Sequence, residues 1–171
     1  MSRSLGRRDF LRGRFANRPS EPRVVRPPFA IAEAAFARAC DSCLKCVPAC
    51  DAGIIRVDPA RQPVLQFTHG ECSFCLACVD ACPTGALDRE LGECFVARAE
   101  IATGCLEARG VYCRSCADAC PASAIRFSPH SAAGAPPVID SDRCNGCGAC
   151  VAPCPVGAVD IRNPLTLGEA A

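Results

Sequence analysis

Cysteine is the residue whose number and spacing most directly indicate chemistry in this chain. The sequence contains 17 cysteines in 171 residues, and most of them stand three residues apart in short groups. Three groups share the spacing C-x2-C-x2-C-x3-C. These are Cys40, Cys43, Cys46, Cys50; Cys72, Cys75, Cys78, Cys82; and Cys144, Cys147, Cys150, Cys154. Three thiolates at this spacing wrap one loop around three irons of a cubic cluster, and the fourth points toward a partner group. The spacing therefore predicts [4Fe–4S] clusters.

Zinc and disulfides are the alternative uses of so many cysteines. Zinc sites usually combine two short cysteine pairs across a long spacer, often with histidine. Here the ligands run contiguously, and His69 and His130 stand outside every group. An odd number of closely spaced cysteines also fits a metal better than a framework of long-range bridges. The pattern favours iron–sulfur clusters and thiols that are kept reduced.

One more cysteine group departs from the regular spacing. Numbered along the chain it is group three, and the regular groups are one, two and four. Cys113, Cys116 and Cys120 match the last three ligands of a regular run, but Gly110 stands where the first belongs. The nearest substitute is Cys105, which is separated from Cys113 by the seven residues 106–112. Three interpretations remain: a four-ligand cluster that uses Cys105, a three-iron or labile cluster, and an empty site. We favour the first, so the sequence predicts three clusters and a candidate fourth.

The seventeenth cysteine, Cys94, belongs to no group. A small apolar residue in a packed environment is a more economical interpretation of it than a ligand. Group one carries a smaller departure, because Asp51 follows Cys50 where Pro83 and Pro155 follow the last cysteines of groups two and four.

The groups form an internal repeat. Residues 63–88 and 137–160 align from their first cysteines, each with a β-branched run, a cysteine loop and an apolar exit. We expect an α+β fold of two tandem bacterial 2[4Fe–4S] ferredoxin-like modules. The predicted parts are a basic, mostly irregular N-terminal arm (1–29), module 1 (30–90), a connecting helix or linker (91–104), module 2 (105–163) and a tail (164–171). An Ala-rich helix is predicted at 30–39.

Crossed ligation assigns the cysteines to four sites. Site 1 takes Cys40, Cys43, Cys46 and Cys82; site 2 takes Cys50, Cys72, Cys75 and Cys78; site 3 takes Cys113, Cys116, Cys154 and the less regular Cys105; site 4 takes Cys120, Cys144, Cys147 and Cys150. Large side chains are scarce, with no Trp, one Tyr and one Met. Metal binding should therefore supply much of the folding free energy.

The arm carries eight of the 19 basic residues and two of the 18 acidic ones, so the remainder is net acidic. Its segment GRRDFLR resembles a twin-arginine export tag, yet no apolar region of about 7–15 residues follows it. We therefore expect a cytoplasmic protein whose arm docks on a partner through Arg7, Arg8, Phe10 and Leu11. No apolar run is long enough for a membrane span, and no basic face or stacking aromatics favour nucleic acid.

The combination of RRDFLRGRF, RPPF, ECSFCLACVDACP, CLEARGVYCRSCADACP and CNGCGACVAPCPVGAV resembles the NapF-type ferredoxins of periplasmic nitrate reductase systems. The resemblance implies a non-enzymatic cytoplasmic accessory protein. Such a protein binds the precursor of the molybdenum-containing catalytic subunit before export and assists its maturation, by inserting or reducing a cluster. The alternative is a plain electron-transfer subunit of a larger membrane-associated oxidoreductase. Both imply redox partner proteins.

Overall fold

The computed structural model describes residues 24–92, 97–127 and 135–163. Several predicted features lie outside these residues: the docking residues Arg7, Arg8, Phe10 and Leu11, the unassigned Cys94, and the tail. No helix within the described ranges is long and apolar enough to cross a membrane.

The secondary structure is short throughout the described residues. Its elements are α1 (Glu33–Ala39), β1 (Ile55–Val57), β2 (Pro63–Leu65), α2 (Ala77–Asp80), β3 (Arg98–Ile101), a 3₁₀ turn (Glu107–Arg109), α3 (Ser115–Asp118), β4 (Ile125–Arg126), β5 (Val138–Ile139) and β6 (Val159–Arg162). The predicted mixture of helices and strands is confirmed. The predicted Ala-rich helix is present as α1, whose Phe36 is fully buried.

The two modules repeat one topology. In module 1 the segment between its cysteine groups forms the antiparallel pair β1–β2, with Ile55 opposite Leu65. In module 2 the corresponding pair is β4–β5, with Ile125 opposite Ile139. Chain segments that flank the groups also pair: Ala30 bridges Leu87 in module 1, and β3 pairs with β6 in module 2. Each module therefore holds its two cysteine groups between two small antiparallel pairings.

The predicted connecting helix is wrong for residues 98–101, which form strand β3. The backbone amides and carbonyls of this segment find their partners on β6 instead of within a helix. Ala99 lies opposite Ile161, and both are buried. The amide of Ala99 also donates to Cys144 Sγ at 3.5 Å. Residues 98–102 of the predicted linker therefore belong to module 2.

The described end of the arm, residues 24–29, contains no helix or strand, but it is not a free tail. Residues 24–29 pack against module 1: Val25 is buried, and its carbonyl accepts a 2.7 Å hydrogen bond from the Leu65 amide. The Arg26 side chain is only 9% exposed. It forms ion pairs with Glu33 at 2.6 Å and Asp58 at 3.2 Å.

Arg26 also covers the face of the Phe36 ring at 4.7 Å from its centroid and donates to Gln62 Oε1 at 2.8 Å. Sequence reasoning counted this arginine among the arm's charges, because a long-range partner cannot be recognised from local pattern. In the structure the Arg26 side chain connects residues 24–29 to α1 and to the β1–β2 turn, and we call this set of contacts the Arg26 clamp.

Replacement of Arg26 by Ala is expected to destabilise module 1 by about 2–3 kcal/mol, because Asp58 would keep a largely buried carboxylate without its cation. Asp58 is only 14% exposed, whereas Glu33 is 55% exposed and would be re-solvated. Thermal unfolding, followed by the visible absorbance of the bound clusters, should shift down by roughly 5–10 °C. Arg56→Ala, at an exposed position on β1, is the control and should shift it by less than about 2 °C. Equal shifts in the two variants would contradict the clamp.

The buried core is small, and cysteines make up a good part of it. Its largest fully buried side chains include Phe36, Ile54 and Ile55. Five buried members of the core cluster are cysteines: Cys46, Cys78, Cys116, Cys144 and Cys150. The core is therefore arranged around the cysteine loops rather than beside them.

Candidate iron–sulfur sites

Three of the four predicted cysteine sets each line a cavity. Cys40, Cys43, Cys46 and Cys82 of site 1 surround about 310 Å³ of empty space, open mouth included. Cys50, Cys72, Cys75 and Cys78 of site 2 line a cavity of about 510 Å³. Cys120, Cys144, Cys147 and Cys150 of site 4 line one of about 300 Å³. In each cavity the fourth cysteine comes from the other group of the same module, which is the arrangement that crossed ligation requires.

The electrostatics of the buried thiols reflect the same grouping. Burial is the main cause that raises the pKa of Cys46 to about 11, and the nearby Cys40, Cys82 and Cys43 contribute to the same rise. Burial likewise raises the pKa of Cys150 to about 12, together with Cys144, Cys147 and Cys120.

Site 2 behaves in the same way. Burial raises the pKa of Cys78 to about 12, and among the charged groups Cys72 and Cys50 contribute most to the same rise. Several thiolates so close together in a poorly solvated place repel one another unless a cationic group compensates them. Iron would supply that compensation.

The loop backbone provides a second test of whether a cluster fits. In each regular group the residues immediately before and after the second cysteine have positive φ. They are Ser42 (59°) and Leu44 (59°) in group one, Phe74 (57°) and Leu76 (64°) in group two, and Gly146 (73°) and Gly148 (86°) in group four. Left-handed residues are uncommon when they are not glycine. Alternation of right- and left-handed residues turns successive amides to one side and forms the concave anion sites found around iron–sulfur clusters. The loops therefore fit the cluster that their spacing predicts.

Backbone amides also donate to the last cysteine of three groups. Leu87 N lies 3.5 Å from Cys82 Sγ, Ala124 N lies 3.4 Å from Cys120 Sγ, and Ala158 N lies 3.2 Å from Cys154 Sγ. Burial alone raises the pKa of Cys82, but amide donors led by Leu87 outweigh it and lower the pKa overall. Such donors stabilise a ligating thiolate and help to set the potential of a bound cluster.

Site 3 depends on whether Cys105 can reach the irregular group, and the chain turns back to allow it. The amides of Arg109 and Val111 both donate to the Leu106 carbonyl at 2.9 Å, and Gly110 has a φ of 79°. Burial raises the pKa of Cys116 to about 11, and among the charged groups Cys105 contributes most to the same rise.

The loop of site 3 is held differently from the regular ones. Tyr112 and Arg114, the described residues on either side of Cys113, are not left-handed. Glu107 Oε2 instead accepts a 3.0 Å hydrogen bond from the Cys113 amide.

Cys154 is linked to the Cys105 turn through the strand pairing of module 2. Ala102 N donates to the Ala158 carbonyl at 2.8 Å, and Cys105 N donates to the Ala102 carbonyl at 3.0 Å. Since Ala158 N in turn donates to Cys154 Sγ, one run of hydrogen bonds connects the Cys105 turn to Cys154. The pairing of β3 with β6 therefore links these two predicted ligands of site 3.

Within the described ranges, no three His, Cys, Asp or Glu side chains are arranged to hold a single metal ion. A single zinc ion would require its sulfur ligands within about 2.3 Å of one point, whereas the ligands of a cube of iron and sulfide stand further apart. His69 is exposed, and His130 lies outside the described residues.

Sequence reasoning missed the contact between the two modules. The Cys72 amide donates to the Cys147 carbonyl at 2.8 Å, so the ligand loops of sites 2 and 4 touch. A signal was present in the sequence: Gly148 occupies the position where groups one and two carry Leu44 and Leu76. The structure places the Phe67 ring directly against it.

Comparison with known families identifies an iron–sulfur domain in each module. Residues 39–87 match a family model described as a 4Fe-4S dicluster domain, and residues 111–158 match a second with the same description. The first match contains both groups of module 1. The second begins after Cys105, so it contains seven of the eight cysteines predicted for module 2.

Similar proteins cover nearly the whole chain. The ferredoxin-type protein NapF of Haemophilus influenzae is 36% identical over 167 residues, which cover 94% of this chain and 95% of its own length. The NapF of Escherichia coli K12 is 35% identical over 159 residues, covering 93% and 95%. The methylamine utilization ferredoxin-type protein MauM of Paracoccus denitrificans is 36% identical over 162 residues, covering 84% and 72%. With two 4Fe-4S dicluster domains and this similarity over almost its full length, the chain belongs to the NapF family of ferredoxin-type proteins.

Proposed function

We propose that this chain is a cytoplasmic, non-enzymatic accessory protein that binds the precursor of the molybdenum-containing catalytic subunit of periplasmic nitrate reductase. It would assist maturation of that subunit by inserting or reducing an iron–sulfur cluster before export. The observation that carries the proposal is the match to NapF proteins over 93–94% of this chain, which extends well beyond the cysteine loops.

We further propose four [4Fe–4S] clusters, held by sites 1 to 4 as the crossed sets assign them. When bound, such a cluster gives or takes one electron. The chain's contribution is to hold the thiolates, to donate amide hydrogen bonds to them and to limit the access of water.

The exposure of two ligands supports electron exchange with partner proteins. Cys43 and Cys75, the second cysteines of groups one and two, are exposed, whereas Cys147, the corresponding residue of group four, is buried. A partner that approaches module 1 would therefore come close to the sulfurs of sites 1 and 2. We assign the redox partner surface to this side of module 1.

The proposal is tested by capture of the catalytic-subunit precursor from cytosol with the intact, cluster-loaded protein. Arg7→Ala/Arg8→Ala should reduce the captured precursor at least about tenfold if these residues dock on it. Arg14→Ala/Arg18→Ala removes the same charge from the same arm and should retain most of the binding. No capture by the wild type, or full nitrate reductase activity in cells that lack this protein, would contradict the maturation role.

A second candidate function is electron transfer within another oxidoreductase. It is favoured by the similarity to MauM, whose name refers to methylamine utilization and not to nitrate. A subunit of a membrane-associated complex should sediment with membranes, whereas the proposed accessory protein should stay in the soluble fraction. Cell fractionation with an antibody against this chain separates the two.

A further inference from the structure

The two modules meet at their ligand loops. Besides the hydrogen bond from Cys72 to Cys147, Phe67 of module 1 lies against Gly148 of module 2, and Phe67 is only 6% exposed. A Cβ atom added at Gly148 would overlap the Phe67 ring, and the φ of +86° at this glycine already disfavours a side chain. The fit between the two loops thus requires glycine at this position.

The contact covers the ligand loop of group four, whereas the ligand loops of groups one and two are exposed at the corresponding position. Cys147 is 8% exposed, while Cys43 and Cys75, at the same position of groups one and two, are exposed. Leu44 and Leu76 stand where group four has Gly148. Group four therefore differs from its repeats at the position that faces module 1.

The contact joins a ligand of site 2 to a ligand of site 4. From Cys72 Sγ the path runs along covalent bonds to the backbone nitrogen, crosses one hydrogen bond of 2.8 Å, and continues from the Cys147 carbonyl to its Sγ.

We propose that Phe67 and Gly148 are positioning residues that keep the ligand loops of sites 2 and 4 in contact. Single electrons then pass between the modules across the Cys72–Cys147 contact. This inference rests on the proposed electron-carrying function. One module loses an electron and is oxidised, and the other gains it and is reduced. No bond breaks and no proton moves. In the test the electrons come from dithionite.

The test uses the purified, loaded protein and the magnetic interaction between reduced sites. Cys43→Ala and Cys113→Ala remove a ligand from sites 1 and 3, so that the remaining paramagnetic sites are 2 and 4. In this background the EPR spectrum should show spin–spin splitting. Gly148→Ala should abolish the splitting while the integrated spin stays at about two per chain. Retained splitting with full iron content would overturn the proposal.

The matched variants separate the contact from strain. Gly53 has a φ of +60° with nothing within 4 Å of an added Cβ, so Gly53→Ala imposes similar backbone strain and should keep the splitting. Phe67→Ala/Gly148→Ala makes room for the added methyl group and should recover at least half of the splitting. No recovery would contradict the contact as the cause.

A second measurement tests the proposal if the Cys43→Ala/Cys113→Ala variant, or Gly148→Ala within it, loses iron from sites 2 and 4. In the otherwise unaltered chain, Phe67→Ala leaves every cysteine and glycine of the loops in place. It should lower the microwave power for half-saturation of the reduced EPR signal at least threefold, because the modules no longer relax each other. An unchanged half-saturation power would overturn the proposal. Because no partner protein takes part, either failure is distinct from failure of the nitrate reductase assignment.

Discussion

Removal of iron is expected to abolish the tertiary structure of this chain. In the described residues the longest helix, α1, has seven residues and the longest strands have four. Helices shorter than about 12 residues and isolated hairpins are marginal in water. Without clusters, little would hold these elements together.

The loops themselves would oppose the folded state once the clusters are gone. Ser42, Leu44, Phe74 and Leu76 are left-handed non-glycine residues, and each such residue costs on the order of 1–3 kcal/mol. The strain persists only while the cluster and its hydrogen bonds hold the loop. Burial also raises the pKa of Cys78 and Cys150 to about 12. Without iron these thiols are protonated at neutral pH, so each releases a proton when it binds iron.

The measurement is circular dichroism and size-exclusion chromatography before and after anaerobic chelation of iron under reducing conditions. We expect loss of the near-ultraviolet signal and a marked increase in hydrodynamic radius, reversed when iron and sulfide are restored. A control sample treated with reductant alone should keep its clusters and its radius. A compact iron-free chain with native circular dichroism would contradict the account.

The second large effect concerns crossed ligation. Cys82 lies in group two but belongs to site 1, together with Cys43 of group one. Cys82→Ala should reduce the iron content from about sixteen to about twelve per chain. Adding Cys43→Ala should leave it near twelve, because both changes empty the same site.

Adding Cys75→Ala to Cys82→Ala should instead reduce the iron to about eight per chain, because Cys75 lines site 2. Cys43 and Cys75 are equally placed in their own groups and are both exposed, so they form a matched pair. If each group instead held its own cluster, the double variant with Cys43→Ala would retain about eight iron per chain and the one with Cys75→Ala about twelve. Iron and acid-labile sulfide analysis of the purified variants decides between them.

The cysteine chemistry could be predicted from the sequence because ligand spacing is a local property. Three thiolates within seven residues leave few alternatives to a cluster loop, and the repeat indicated which groups share a module. Cys105 could be proposed in the same way, because it is the nearest cysteine before the irregular group.

The contacts that join distant segments could not be predicted in the same way. The connecting helix or linker predicted at 91–104 is a strand at residues 98–101, because this segment pairs with β6 some 60 residues later. Arg26 is held by Asp58, Gln62 and the Phe36 ring, which no local pattern links to it. Gly148 was visible as a departure from the repeat, but only the position of Phe67 gives the physical reason for it.

The central claim is that this chain holds four [4Fe–4S] clusters, the irregular one with Cys105 as a ligand. Iron and sulfide analysis combined with EPR on the wild type, Cys105→Ala and Cys94→Ala tests it most directly. We expect about sixteen iron and sixteen sulfide per chain in the wild type and in Cys94→Ala, and about twelve of each in Cys105→Ala. About twelve in all three proteins would contradict the claim.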